Sequence, residues 1–127
     1  MIIYPMKTVK IHSLTGSDKT ITLGICDSFT TKFMGLMFKP QIDPNFGLLF
    51  TEAKESRINT AIHMFFMNFD ISVLWLNKQM VVVDKTIARK WRPVYVPKSP
   101  AQYTIELHVD RFRDFSIGEQ LELLNDG

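Results

Sequence analysis

Three cations surround one tryptophan in the segment Arg89-Lys90-Trp91-Arg92, and this segment is the best candidate for surface recognition. Guanidinium and ammonium groups beside an aromatic ring can hold an anion, a carbohydrate or an acidic partner surface. The alternative is structural: Trp91 is buried because aromatic bulk is usually buried, and the cations stay in water. Pro93, Pro97 and Pro100 follow, so we expect an ordered loop or an edge segment.

Carboxylates and a histidine form a second candidate, for acid–base chemistry. Glu106 and His108 are two residues apart on an alternating segment, which places them on one strand face. With Asp84 they could be the polar groups of a small enzyme that acts on a saccharide or another polar ligand. Asp110 and Asp114 are further carboxylates that could pair. The alternative is a solvated outer sheet face.

The single cysteine, Cys26, excludes an internal disulfide and leaves the redox compartment open. A nucleophilic cysteine needs a base within hydrogen-bond reach, and His12 could be that base if its strand pairs beside the strand ending at Cys26. The alternative is a buried, inert thiol. One cysteine and three scattered histidines do not have the spacing of a zinc site.

Two Met-x-x-Met pairs, Met34/Met37 and Met64/Met67, are compatible with Cu(I), because thioethers are soft ligands. Methionine also fills irregular space in protein cores. Met64 and Met67 would point to opposite faces of a strand, which argues against a shared site. We therefore predict no bound metal and no cofactor.

Length and composition predict one globular domain covering residues 1–127, with 46% hydrophobic residues. The net charge of +2 is too small to indicate a nucleic-acid-binding protein. The start of the chain lacks the pattern of a signal peptide. The apolar stretch 61–76 is interrupted by Asp70 and is too short for a membrane span, so we expect a cytoplasmic protein.

The hydrophobic pattern is that of a mainly β protein. Alternating or β-branched runs predict about seven short antiparallel strands, whereas residues 28–37 have helical spacing. We interpret the charged stretch 52–59 as a surface loop, and Asn77 as a left-handed residue in a tight hairpin turn. These elements predict a jelly-roll-like sandwich or a small closed barrel with one short helix.

The segment 102–109 predicts one polar face and one buried face, with the odd-numbered residues inside. The full predicted core comprises Phe33, Met37, Leu49, Phe50, Met64, Val73, Trp75, Val82, Tyr103, Ile105 and Leu107.

Six fragments occur in order along the chain: Gly35-Leu36-Met37 followed by Lys39, Gly47-Leu48-Leu49-Phe50, His63-Met64 through Trp75-Leu76, Lys90-Trp91-Arg92-Pro93, the stretch 100–106, and Ile117-Gly118-Glu119. Together they resemble the domain of unknown function 192 family over roughly residues 20–123. The resemblance implies an all-β, jelly-roll-like or barrel-like fold with a small helix. It implies no activity, because none is assigned to the family.

The central segment departs from the family pattern. Typical members carry Trp-Met-Lys-Asn-Thr and then Pro-Leu-Asp. This chain keeps Met64, but it has His63 at the Trp position, Phe65-Phe66-Met67 in place of Lys-Asn-Thr, and Ser72 in place of Asp. A function that the family places on those polar residues is therefore not expected here.

Two hypotheses about function follow. The first is a non-catalytic binding or accessory module that uses Arg89, Lys90, Trp91 and Arg92, because the sequence has no triad, phosphate loop or paired-acid motif. Its partner would be a protein or a small anionic or saccharide ligand. The second is the small enzyme with Glu106, His108 and Asp84. Convergence of these three groups in a deep pocket would favour the enzyme.

Overall fold

A computed structural model describes residues 7–16, 20–26 and 41–125. The strands are β1 Thr8–Ser13, β2 Thr20–Cys26, β3 Phe46–Ser56, β4 Ile71–Leu76, β5 Val82–Ala88, β6 Ala101–His108 and β7 Leu121–Asn125. A 3₁₀ helix, Val109–Asp114, follows β6. The helix predicted over residues 28–37, with Phe33, Met34 and Met37, lies outside the described residues.

The seven strands form one mixed sheet in the order β5-β4-β6-β3-β2-β1-β7. The strands were predicted to be antiparallel, and most of them are, but β2 and β3 pair in parallel. The connection between them runs from residue 27 to residue 45. That length is enough for the crossover that parallel neighbours require, whereas a hairpin joins only antiparallel strands.

The sheet curls into a half-barrel, so that the segments preceding its two edge strands meet. The amide of Val82 donates to the carbonyl of Glu119 at 3.0 Å, and Gly118 donates back to Val82 at 2.7 Å. Leu121 donates to the carbonyl of Met80 at 3.0 Å. These bonds join the two edges of the sheet, beside β5 and β7, and enclose its inner face. The other face is covered by loop residues that include Met64 and Met67.

Each face of the sheet carries its own apolar cluster. Ile105 and Leu107 belong to one cluster with Leu49 and Val82, and Met64 and Trp75 belong to the other. Of the predicted core residues that the structure describes, seven are buried, namely Leu49, Met64, Val73, Trp75, Val82, Ile105 and Leu107. Phe50 and Tyr103 are partly buried against the two clusters.

The predicted polar face of β6 is not a solvent face. Thr104 and Glu106 are only 3% and 8% exposed, although Ile105 and Leu107 are fully buried as expected. The reason is position: β6 lies between β3 and β4, inside the sheet, and both of its faces are covered. Alternation indicated a half-buried strand, but it could not indicate that the second face is also covered.

Two further local predictions are corrected. β3 continues through Ser56 instead of ending before a loop, because it pairs with β6 as far as the Ser56–Ala101 position. In the turn after β4, the left-handed residue is Met80, with φ of 64°, and not Asn77. The Asn77 side chain instead accepts hydrogen bonds from the amides of Gln79 and Val81, both at 3.0 Å.

Gly47 allows two leucines to meet over β3. A Cβ at this position would lie 2.5 Å from Leu107 Cδ2, 2.6 Å from the Glu106 carbonyl oxygen and 2.9 Å from Leu23 Cδ2. We expect Gly47→Ala to lower the free energy of unfolding by about 1–3 kcal/mol, because this overpacking includes a backbone atom. Chemical denaturation measures the change.

Gly118→Ala is the control for the glycine substitution. Its φ is +93°, but no atom lies within 4 Å of the added methyl group. Only backbone strain of about 1–2 kcal/mol should act there. If the Gly47→Ala protein were as stable as the wild type, Leu107, Leu23 and the backbone of Glu106 would have to move away from β3 at no cost. That result would contradict the close packing described.

Candidate functional site

Two loops that cross one face of the sheet from end to end pair with each other and carry the predicted binding residues. Residues 57–70 connect β3 to β4, and residues 89–100 connect β5 to β6. Ile62 and Tyr95 exchange two backbone hydrogen bonds of 2.9 Å. Met64 donates to Arg92 at 3.1 Å, and Trp91 donates to Met64 at 2.8 Å. The loops are therefore held together by their backbones, independently of the exposed side chains.

Each loop contains a tight turn with an aromatic residue in the left-handed region. The first turn is closed by the Met67 amide and the Met64 carbonyl at 3.2 Å, and Phe66 has φ of 62°. The second is closed by Arg92 and Arg89 at 3.3 Å, and Trp91 has φ of 66°. Glycine or asparagine usually occupies this third position of such a turn.

The two turns bring their aromatic rings into contact. The ring centroids of Phe66 and Trp91 are 5.3 Å apart, with an edge-to-face angle of 67°. Phe65, Phe66 and Trp91 are 44%, 43% and 53% exposed. The structural alternative, in which Trp91 is buried in the core, is therefore wrong. We call Phe65, Phe66, Arg89, Lys90, Trp91 and Arg92 the aromatic–cation surface.

The cations of this surface have different environments. Arg89 is 3.1 Å from a carboxylate oxygen of Asp70, and the Lys90 amide donates to the other oxygen at 2.8 Å. The Lys90 amide and the Arg89 guanidinium hold the pKa of Asp70 below its usual range, against the opposing effect of partial desolvation. The Arg92 guanidinium lies 5.7 Å from the centre of the Tyr95 ring. Asp70, the acidic group among these contacts, is thus already bound to the loop that carries Arg89 and Lys90.

The predicted acid–base groups do not come together. Asp84 lies opposite Trp75 on β4, whereas Glu106 lies opposite Val73. Two strand spacings and two residues along the strand separate their Cα atoms by roughly 12 Å. The Asp84 carboxylate accepts from the amides of Lys85 and Lys98, at 2.9 and 2.8 Å, so it anchors the loop before β6.

Glu106 and His108 are neighbours on β6, but their surroundings are different. His108 Nδ1 accepts from the Asp110 amide at 3.0 Å and caps the 3₁₀ helix. Glu106 lies between Leu48 on β3 and Val73 on β4. Desolvation on burial raises the pKa of Glu106 to about 7. The pair thus consists of a capping histidine and a carboxyl in apolar surroundings.

The cysteine, histidine and methionine candidates do not form a catalytic or metal-binding arrangement in the described residues. His12 pairs with Thr20, at the opposite end of β2 from the buried Cys26, which on strand geometry is roughly 20 Å away. Met64 and Met67 lie on a turn, not a strand, and both are buried in one cluster. Over the described ranges, no three His, Cys, Asp or Glu side chains are grouped as metal ligands would be.

Sequence reasoning did not assign a role to Phe65 and Phe66. They stand where the family pattern has polar residues, and that departure indicated only that a family function would be absent. Apolar residues that replace polar ones in a loop are also a sign of an exposed apolar surface. The sequence could not show that this loop meets the basic segment, since the contact joins residues 25 positions apart.

Comparison with known proteins places these observations in a family. The sequence model of DUF192, described as "Uncharacterized ACR, COG1430", matches residues 10–123. Similar proteins named UPF0127 occur in Thermococcus gammatolerans, 42% identical over 75% of this chain and 60% of the relative, and in Pyrococcus furiosus, 41% identical over 72% and 75%. The chain thus spans about three fifths of the length of the Thermococcus gammatolerans relative.

Two solved structures share the fold. A protein of Sinorhizobium meliloti 1021, provisionally described as a transcription regulator, has a TM-score of 0.82 and 18% identity, with 97% of each chain covered. A protein of unknown function from Novosphingobium aromaticivorans DSM 12444 has a TM-score of 0.77 and 13% identity, with 95% of this chain and 91% of that chain covered. Within residues 7–16, 20–26 and 41–125, no helix has the length and apolar character needed to cross a bilayer.

Proposed function

The chain belongs to the DUF192 family of uncharacterised proteins, and we propose that it is a non-catalytic binding module that recognises its partner through the aromatic–cation surface. The observation that carries the proposal is the pair of half-exposed aromatic side chains, Phe66 and Trp91, held in left-handed turn positions. A bulky residue with positive φ is an uncommon arrangement that folding alone does not favour.

The energetic argument begins with the backbone. A non-glycine residue in the left-handed region costs about 1–3 kcal/mol and persists where the surrounding structure fixes it. The edge-to-face contact of Phe66 and Trp91 returns only about 0.5–1.5 kcal/mol. Both rings remain about half exposed, so burial of the rings does little to offset the remaining cost of the left-handed backbone. Strained, exposed aromatic residues on paired loops are typical of a surface prepared for binding.

The chemistry of the surface defines the partner. It presents apolar rings beside the cations of Lys90 and Arg92, whereas the Asp70 carboxylate is occupied by Arg89 and the Lys90 amide. A partner surface with anionic and apolar groups fits this arrangement, as does a small anionic or saccharide ligand. The proposal includes a cytoplasmic location. It also includes a small closed barrel, which the hydrogen bonds of Val82 with Gly118 and Glu119 support.

Replacing Trp91 with Gly separates binding from folding. Glycine removes the left-handed strain and the exposed ring together, so we expect the free energy of unfolding to change by less than about 1 kcal/mol. Binding should be lost. The measurement is co-purification of tagged wild-type and variant chains from the native cell, with retained proteins, lipids and small molecules identified by mass spectrometry.

Two further variants complete the design. Arg89→Ala combined with Arg92→Ala removes two cations of the surface, and it should also reduce retention while leaving the melting temperature nearly unchanged. Ile117→Ala, at a 58% exposed position outside the two loops, is the control and should retain what the wild type retains. Identical retained material in the wild type and in the Trp91→Gly protein would exclude this surface as the binding site.

A further inference from the structure

We propose that the aromatic–cation surface docks onto a lipid bilayer with anionic headgroups, an inference that rests on the proposed function of this surface. Exposed apolar side chains are concentrated on the two loops that carry this surface. Ten large apolar side chains are exposed among the described residues, and six lie on the two loops 57–70 and 89–100: Ile58, Phe65, Phe66, Trp91, Val94 and Val96. Three of the six, Phe65, Phe66 and Trp91, lie together on the aromatic–cation surface, and such a group of exposed apolar side chains indicates an interaction site.

The aromatic types match the membrane interface. Tryptophan is enriched at the level of the headgroups, and phenylalanine is common on the apolar side of surface-bound segments. Phe65, Phe66 and Trp91 occupy the central positions of two tight turns. The apolar groups are thus carried on turn tips, which can enter the boundary between headgroups and acyl chains.

The cations lie where headgroup phosphates would be. Lys90 directly precedes Trp91 in its turn, and Arg92 directly follows it. Long basic side chains beside an inserted ring can keep their charged ends at the level of the phosphates. Asp70, the carboxylate beside the cations, is paired with Arg89 at 3.1 Å, which reduces its repulsion of an anionic surface. Charge and apolar surface are therefore complementary to one anionic bilayer face.

A bilayer fits these features better than an acidic protein or a saccharide. Saccharide sites need fixed hydrogen-bond acceptors as well as donors, whereas the polar side chains of this surface are all cations. A protein interface does not require aromatic residues to project from turns. The loops are fixed by backbone hydrogen bonds between Met64, Trp91 and Arg92, so the surface is ordered before it meets a membrane. This order lowers the entropic cost of binding.

The test uses the full chain and two kinds of vesicle, one of phosphatidylcholine and one of an equimolar mixture of phosphatidylcholine and phosphatidylglycerol. Sedimentation should show binding to the mixed vesicles, weaker binding to phosphatidylcholine alone, and release as salt is raised. Phe66→Gly combined with Trp91→Gly should weaken binding at least tenfold. Lys90→Gln and Arg92→Gln should each weaken it about fivefold, and only on the mixed vesicles.

Controls separate the outcomes. The Ile117→Ala protein should bind vesicles as the wild type does, and circular dichroism should show that every variant is folded. Absence of wild-type binding to mixed vesicles, or equal binding by the Phe66→Gly/Trp91→Gly protein, would overturn the membrane inference. If co-purification from the native cell still showed a protein or saccharide retained through Trp91, the binding-module proposal would stand without the membrane inference. If neither vesicle binding nor Trp91-dependent retention were observed, both proposals would be overturned.

Discussion

Replacing Leu107 with Ala is expected to lower the free energy of unfolding by about 2–5 kcal/mol, through lost burial and a residual cavity. Leu107 is fully buried in the cluster that also contains Leu23 and Leu49. Its Cδ2 atom fills the space left by the missing side chain of Gly47. The strand on which it lies is fixed on both sides, by β3 and β4, so the cavity cannot close by a simple shift of the backbone.

Urea denaturation of wild-type and variant proteins measures this effect. Leu14→Ala makes the same chemical change at a 54% exposed position, and it should alter the free energy of unfolding by no more than about 0.5 kcal/mol. The slope of the transition should be unchanged in both variants, since the fold is the same. Equal stability of the two variants would remove Leu107 from the core.

The strands with the clearest local signals could be predicted from the sequence. β1 and β2 alternate and are separated by turn residues, and they form the antiparallel hairpin that this pattern predicts. The β-branched runs of β4 and β5 also form a hairpin. In each case the pattern and the partner are close together in the chain, so local information specified the pairing.

Features that depend on distant parts of the chain could not be predicted in this way. The parallel pairing of β2 with β3 depends on a crossover, and the burial of Glu106 depends on loop residues, including Met64 and Met67, that pack over its face of the sheet. The charged end of β3 looked like a loop because its side chains are exposed while its backbone pairs with β6. Periodicity reports which side chains avoid water, and it does not report which strands are adjacent.

Only one of the two loops that form the candidate site was predicted from the sequence. The basic segment around Trp91 was identified from composition, because cations and an aromatic residue are adjacent in the sequence. Phe65 and Phe66 were not assigned to it, because the pairing of the two loops, which includes the backbone bonds of Met64 with Trp91 and Arg92, joins residues far apart in the sequence. Left-handed backbone at Phe66 and Trp91 also has no sequence signal, since glycine or asparagine is the residue that usually marks such a position.

The second large effect concerns Glu106, and it depends on pH. Burial between Leu48 and Val73 disfavours the charged carboxylate and raises its pKa from the ordinary value of 4.5 to about 7. The folded state therefore binds a proton more tightly than the unfolded state does. Stability is full below about pH 4.5, falls as the pH rises towards 7, and is constant above that, because both states have then lost the proton.

Glu106→Gln is expected to remove this pH dependence, since the amide resembles the neutral carboxyl group and does not ionise. One pKa unit corresponds to about 1.4 kcal/mol, so the rise from 4.5 to about 7 corresponds to about 3 kcal/mol. The measured quantity is the free energy of unfolding of the variant minus that of the wild type. This difference should be about 3 kcal/mol larger at pH 8 than at pH 4. Urea denaturation at a series of pH values measures the difference between the two curves.

The neighbours of Glu106 decide how this result is interpreted. His108 is two residues away on the same strand, but its Nδ1 atom already accepts a hydrogen bond from the Asp110 amide. His108→Gln therefore tests whether the histidine contributes to the same pH range. Glu55→Gln, at an exposed position, is the control for loss of one carboxylate. If Glu106→Gln and wild-type proteins lose stability in parallel between pH 4.5 and 7, Glu106 is ionised at little cost in the folded protein. Its burial would then not be the source of a pH response.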